Sequence, residues 1–319
     1  MRFRKIASAV AGAAALALVV SGCGNSGSAT ATSAGAAVSS AATSAASAAA
    51  SAAGSATSAA GSAAGTAAAG ESQLLTNAGD GKVIVGVKFS QPGLSVKNPD
   101  GTFSGFDIDV AKYVAKELGV DEANIEFKEA NSAEREGLIE RGEVDYIVAS
   151  YSITDTRKEK VNFAGPYFIA HQDLLVKADD TEITGPEAMA GKILCSVTGS
   201  TSAQKVKDTY AADVALQEYA TYGECVEALK SGAVDAVTTD DVILAGFAAQ
   251  SPGELKLVGK GFSDENYGIG LKKGDTAGTS AINAAIAKMI ADGSWKTALE
   301  TNVGPSGYTI PAPPTPPSS

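Results

Sequence analysis

The sequence predicts an α/β protein whose strands run repeatedly into helices. From Lys82 to Gly304 the hydrophobic period switches back and forth between that of a strand and that of a helix. Within that region, Gly142 to Arg157 passes from a short apolar strand (Asp145 to Ala149) through a polar turn into a helix start. A second copy follows: Gly232-Ala-Val-Asp235 and then Ala-Val-Thr-Thr-Asp240 align with Gly142-Glu-Val-Asp145 and then Tyr-Ile-Val-Ala-Ser150. A leucine-bearing helical segment precedes each copy, with Leu138 in one and Leu229 in the other.

The repeat puts Ser150 and Asp240 at equivalent strand tips. In an open α/β sheet the crevice beyond the strand ends is where ligands bind, and helix N-termini there attract anions. Thr154 and Thr156 are candidate N-caps, and Thr156 with Glu159 has capping-box spacing. Arg157 adds a planar, two-pronged donor suited to a carboxylate. If the two units are facing lobes, one offers Ser150 and Arg157 and the other an acid. Together they suit a molecule carrying both carboxylate and ammonium, an amino acid. The competing reading is that Gly-x-Val-Asp is a common way to enter a strand.

The first residues read as a processing segment. Arg2, Arg4 and Lys5 precede a short apolar run from Ile6 to Val20, too short for a membrane span. Leu18-Val-Val-Ser-Gly-Cys23 resembles the lipobox of bacterial lipoproteins, which implies cleavage after residue 22, lipid on Cys23 and residence on the outer face of the plasma membrane. Residues 23–75 are rich in Ala, Ser and Gly and read as a flexible tether. Once Cys23 is lipidated, Cys195 and Cys225 are the two thiols left, an expected disulfide in an oxidising compartment; two buried free thiols are the alternative. The formal charge of -11 argues against nucleic acid as a partner and places any anion selectivity in local groups.

Along the chain, Val83 to Val87 is a strand, followed by a loop from Lys88 to Gly93 and a turn at Asn98-Pro-Asp-Gly101. Val110, Tyr113, Val114 and Leu118 form one face of a helix that Gly119 ends. Asp107 and Asp109 read as helix-start acids rather than metal ligands. Later strands are expected at Lys192 to Val197, Val214 to Tyr219 and Ala233 to Val237, with helices from Thr201, over Tyr222 to Lys230 and from Asp241. Ile282 to Ile290 is an amphipathic helix with Trp295 packing at its end, and Pro311 to Ser319 reads as an extended, solvated tail.

Several ordered blocks carry a family resemblance: Gly105-Phe-Asp-Ile-Asp-Val-Ala, Ser152-Ile-Thr-Asp-Thr-Arg157, Val161-Asn-Phe-Ala-Gly-Pro-Tyr167, Gly199-Ser-Thr201 and Ala291-Asp-Gly-Ser-Trp295. Over roughly Lys82 to Asn302 the chain resembles the polar amino-acid solute-binding proteins (family 3) of ABC importers. Gln91-Pro-Gly, Ile193-Leu-Cys-Ser-Val-Thr-Gly-Ser-Thr and Tyr222-Gly-Glu-Cys-Val-Glu-Ala-Leu are similar to glutamate-binding lipoproteins of the GluB type from Gram-positive bacteria. The resemblance implies a two-lobed, periplasmic-binding-protein-like fold of type II with two crossover strands as hinge, near Ala170 to Val176 and Asn266 to Leu271. It implies a first lobe of residues 76–172 plus 268–304, a second of 173–267 and a proline-rich tail of 305–319.

The resemblance also assigns roles. Arg157 holds the ligand's α-carboxylate with Ser150, Ser152 and Thr201; Asp240 takes the ammonium. Arg135, ten residues before Asp145, looks like the arginine that holds a distal carboxylate, and Lys88 at the first strand tip is the second candidate. Arg157, Arg135 and Asp240 match glutamate's two carboxylates and one ammonium charge for charge; a neutral glutamine leaves Arg135 uncompensated. Phe89, Tyr151 and Tyr267 are candidates for an aromatic wall. The implied protein is not an enzyme and needs no cofactor or metal. It is a monomeric, lipid-anchored receptor that binds glutamate or aspartate and delivers it to the membrane permease of an ABC importer. Two other classes remain: an amino-acid sensor for a membrane kinase, and a cyclic-amino-acid dehydratase on the same scaffold. The dehydratase needs a positioned acid and base, and the chain's single histidine, His171, supplies no Ser-His-Asp set.

Overall fold

The computed structural model describes residues 72–315. The leader, Cys23 and the tether up to residue 71 lie outside the described residues. The last residues of the expected tether are folded: helix α1 (Gln73–Gly79) buries Leu74 and Ala78, and its N-cap Ser72 donates to Asp275 Oδ2 at 2.6 Å.

The elements then follow in chain order. Strand β1 (Val83–Val87) leads into a small antiparallel sheet of β2 (Ser90–Gln91), β3 (Ser95–Lys97) and β4 (Phe103–Ser104). Helix α2 (Phe106–Glu117), β5 (Ile125–Glu129), α3 (Arg135–Glu140), β6 (Tyr146–Ile147) and α4 (Asp155–Lys158) come next. The long β7 (Val161–Lys177) is followed by β8 (Ile193–Val197), α5 (Ser202–Thr209), β9 (Ala215–Tyr219), α6 (Tyr222–Ser231), β10 (Ala236–Asp240), α7 (Asp241–Gln250) and β11 (Leu255–Leu257). Strand β12 (Asp264–Lys272) and helices α8 (Thr276–Ala291) and α9 (Ser294–Asn302) complete the set.

These strands build two sheets that share a strand. In the first, β5, β1 and β6 are parallel and β12 runs antiparallel beside β6. In the second, β9, β8 and β10 are parallel, with β7 antiparallel to β10 and β11. β7 belongs to both: its first part pairs with β12 and its last residues with β10 and β11. Seventeen residues at about 3.3 Å each reach roughly 55 Å, enough to run through two lobes. β7 and β12 are therefore the two crossover strands of a two-lobed α/β fold. Parallel strands β1 and β6, buried on both faces, explain the uninterrupted apolar runs in the sequence.

Local differences from the sequence reading have simple causes. The strand expected at Asp145 to Ala149 is regular only over Tyr146–Ile147, with single backbone bonds from Asp145 N to Ile84 O (2.8 Å) and Val148 N to Gly86 O (2.9 Å) on either side, and the Asp145 carboxylate accepts from Ile84 N (2.7 Å) and Asn77 Nδ2 (2.6 Å). Thr154, not Thr156, caps α4: its hydroxyl accepts from Arg157 N at 3.3 Å, and the helix has only four residues. The tail is not wholly solvated, since Tyr308 and Ile310 pack on the core and Pro314 is buried. Trp295 lies in α9, stacks near Phe106 and Phe168, and donates from Nε1 to Tyr167 O at 2.7 Å. Gly105 opens α2 at φ 124°, and a Cβ there would fall 2.3 Å from Leu94 O, so only glycine lets the hairpin and the helix meet.

Cys195 of β8 and Cys225 of α6 are disulfide-bonded, with Cα atoms 5.7 Å apart and a sequence separation of 30. The bridge pins α6 onto its sheet. Replacing both cysteines by alanine is expected to lower the unfolding free energy by about 3–4 kcal/mol, the loop-closure value for that separation. Urea denaturation of oxidised, reduced and doubly substituted protein checks this; a loss under about 1 kcal/mol contradicts it.

Candidate functional site

The strand tips of the two sheets converge on one cavity. Lys88 follows β1, Ser150 and Ser152 follow β6, and Arg157 sits in α4; Asp240 ends β10 and Thr201 precedes α5. All seven ligand-binding candidates, these six and Arg135 of α3, line this cavity. Its free space is about 20 Å³, close to the room of a single water, so anything larger enters by parting the walls. A roomier hollow of about 640 Å³ lies elsewhere, between α2 and the α8–α9 pair. It is an open surface groove of solvated charges, without the convergent buried groups expected of a binding site.

The first lobe's wall is cationic. Arg157, 7% exposed, donates from Nη1 to Ser152 O at 2.8 Å, and its Nε lies 3.6 Å from Glu136 Oε1. Arg135, 2% exposed, stacks its guanidinium 3.8 Å from the centre of the Tyr151 ring and donates from Nη1 to Ala149 O at 3.3 Å. Burial, then the neighbouring Arg157, pulls its pKa down to about 10, which leaves it charged at neutral pH. Lys88 donates to Ser132 Oγ at 3.0 Å; burial first, then Arg135 and Arg157, hold its pKa well below the usual lysine range.

Tyr151 organises this wall from behind. It is fully buried, packs on Phe163 and lies within 5.0 Å of the Arg157 guanidinium, while its hydroxyl donates to Glu136 Oε1 at 2.6 Å. None of the three aromatics considered from the sequence lines the cavity. Phe89 packs on Phe103, Tyr151 supports the arginines, and Tyr267 lies behind Asp240. The aromatic that does line it is Tyr222, whose hydroxyl donates to Ser200 Oγ at 3.2 Å. Tyr222 is the first residue of a capping-box helix, a start signal visible in Thr221-Tyr-Gly-Glu224.

Ser150 is held in a left-handed conformation, φ 47°, unusual for a residue with a side chain. Its N–H and hydroxyl both donate to Asp107 Oδ2, at 2.8 and 2.9 Å, while Tyr167 donates to Oδ1 at 2.8 Å. Burial raises the Asp107 pKa to about 6 despite these donors. Asp107, read from the sequence as a helix-start acid, thus also sets the turn that shapes the cavity.

The second lobe supplies the acid. Asp240 is 4% exposed and accepts from Tyr267 OH at 2.5 Å through Oδ2. Burial first, then the nearby Glu265, raises its pKa to about 7. Close approaches cross the cleft at Gly199 and at Gly246. Arg157 Nη2 donates across to Gly199 O at 3.2 Å, and a Cβ on Gly199 would fall 2.6 Å from Ala133 N. The carbonyl of Pro92 approaches α7 at Gly246, where a Cβ would lie 2.3 Å from the oxygen. Among the described residues no cluster of His, Cys, Asp and Glu suits a metal ion.

Comparison with known proteins places the chain. The model of the bacterial extracellular solute-binding proteins, family 3, matches residues 83–305. The glutamate-binding protein GluB of Corynebacterium glutamicum is 50% identical over 253 residues, which cover 76% of this chain and 85% of that protein. The ABC transporter glutamine-binding protein GlnH of Bacillus subtilis is 41% identical over 215 residues, 67% of this chain and 78% of that one. Among solved structures, an ancestral arginine-binding protein bound to glutamine has a TM-score of 0.66 at 37% identity, covering 70% of this chain and 98% of its own.

The raised pKa of Asp240 yields a pH dependence. A ligand's cationic group favours the ionised carboxylate, so below about pH 7 binding must first release a proton. Affinity for an ammonium-bearing ligand is expected to rise by about tenfold per pH unit toward that value and then level off. Tyr267→Phe removes a donor to the ionised form and shifts the rise to higher pH. Calorimetry across this range checks both; a rise that stays at the same pH in the variant contradicts the assignment.

Proposed function

The chain belongs to the bacterial extracellular solute-binding proteins of family 3, and we propose that it is a receptor for L-glutamate or L-aspartate serving an ABC importer. The observation that carries this reading is the cavity's charge: Lys88, Arg135 and Arg157 in one wall, and Asp240 in the other. Glutamate brings two carboxylates and one ammonium. Arg157 takes the α-carboxylate with Ser152 and Thr201, Asp240 takes the ammonium, and Arg135 with Lys88 takes the distal carboxylate. Ser150 contributes through its constrained backbone, its hydroxyl being directed to Asp107.

Glutamine is the second reading, given the similarity to GlnH. Charge disfavours it. Burying Arg135 and Lys88 against a neutral amide leaves cationic charge unmatched in a dry cleft, where truncating one partner of a buried pair costs about 3–5 kcal/mol. The 50% identity with GluB over 253 residues supports the acidic ligand. The relatives are named for binding, and the chain is a binding protein rather than an enzyme.

The lobes, proposed as residues 76–172 with 268–304 and residues 173–267, close on the ligand about β7 and β12 like a hinged clamp. The permease then receives the ligand from the closed form. Among the described residues no helix is long and apolar enough to cross a membrane. Attachment to the outer face of the plasma membrane is assigned to a lipid on Cys23, with the Ala/Ser/Gly tether giving reach. A monomer suffices, because one chain supplies both walls.

Arg157→Ala is expected to weaken glutamate binding by at least about 100-fold with the thermal midpoint of the free protein retained. Arg135→Met keeps the packing on Tyr151 but removes the charge, and is expected to erase the preference for glutamate over glutamine. Calorimetry with both ligands checks this, and unchanged selectivity defeats the distal-carboxylate role.

A further inference from the structure

Gln91 lies on β2, is 3% exposed, and lines the same cavity as Lys88 and Asp240. Its Oε1 has no hydrogen-bond partner among the described residues. A buried amide oxygen without a donor is destabilising, so a native site retains one where a ligand supplies the donor. The backbone that carries this side chain is also firmly placed. Gln91 pairs with Ser95 across β2 and β3, its carbonyl accepts from Leu94 N at 3.1 Å, and the Ser95 hydroxyl donates to Lys88 O.

The loop's position says which part of a ligand Gln91 meets. Pro92, the next residue, abuts α7 at Gly246. Helix α7 begins directly after Asp240, and its Ile243 lines the cavity with Gln91. Gln91 therefore stands on the acidic side, where the first lobe touches the helix that follows the acid. The balance of donors and acceptors agrees. The cationic wall is rich in N–H groups, and Asp240 is the one carboxylate lining the cavity, with Oδ2 already taken by Tyr267. An ammonium brings three N–H donors and needs more than one acceptor.

We propose that Gln91 Oε1 accepts a hydrogen bond from the ligand's α-ammonium beside Asp240, and so selects ligands with a free amino group. This rests on the amino-acid-receptor reading. The test compares L-glutamate with glutarate, which keeps both carboxylates and lacks the ammonium, on wild type and Gln91→Met. Methionine matches the length of glutamine and has no amide. Calorimetry, with glutarate measured by competition, is expected to show glutamate weakened about tenfold in the variant and glutarate unchanged. The thermal midpoint of the free variant is expected to hold or rise, because an orphan acceptor has been removed. Equal losses for both ligands, or no loss for glutamate, overturn the proposal while leaving glutamate binding intact. A wild type that binds no amino acid overturns both readings together.

Discussion

Three cationic side chains share one buried wall, and much of the site exists to tolerate them. Lys88, Arg135 and Arg157 are each at least nine-tenths removed from solvent. Burial first, then the like charges of Arg135 and Arg157, drives the Lys88 pKa down. Backbone carbonyls, Glu136 and the Tyr151 ring face the two arginines. None of these partners cancels the surplus. Two arriving carboxylates would, which is the ground for proposing a dianionic ligand.

The rest of the molecule brings a single acid to that wall. β7 and β12 run through both lobes and so hold the two sets of strand tips opposite each other. Gly199 and Gly246 permit backbone-to-backbone approach across the cleft, closer than any side chain allows. The Cys195–Cys225 bridge ties β8 to α6, the helix whose first residue, Tyr222, lines the cavity. Pre-organisation of this kind lowers the ordering cost of binding.

Much of this was legible in the residues. The repeated strand-to-turn pattern located Ser150 and Asp240, and the spacing of Arg157 from Ser152 placed it in the same corner. Charge periodicity says nothing, however, about what stands behind a binding group. Tyr151 looked like a ligand wall because aromatic residues commonly line pockets; its actual place under two guanidinium groups depends on α3 packing against β6, a tertiary fact. Asp107 looked like a helix-start acid because its partner Ser150 is 43 residues away. Gln91 stands in one of the blocks that carry the family resemblance, but the sequence gives it no binding role, since an unpaired amide is defined only by what surrounds it. Thr154 took the cap from Thr156 because the helix was too short for the later start.

The most direct measurement is a crystal structure of the protein with L-glutamate bound. The ligand should lie between the lobes, its α-carboxylate within hydrogen-bond distance of Arg157, its ammonium against Asp240 and its distal carboxylate on Arg135 or Lys88. A glutamate bound outside this cleft, or one whose distal carboxylate faces solvent while Arg135 and Lys88 remain unmatched, contradicts the charge-matched cavity on which the functional reading depends.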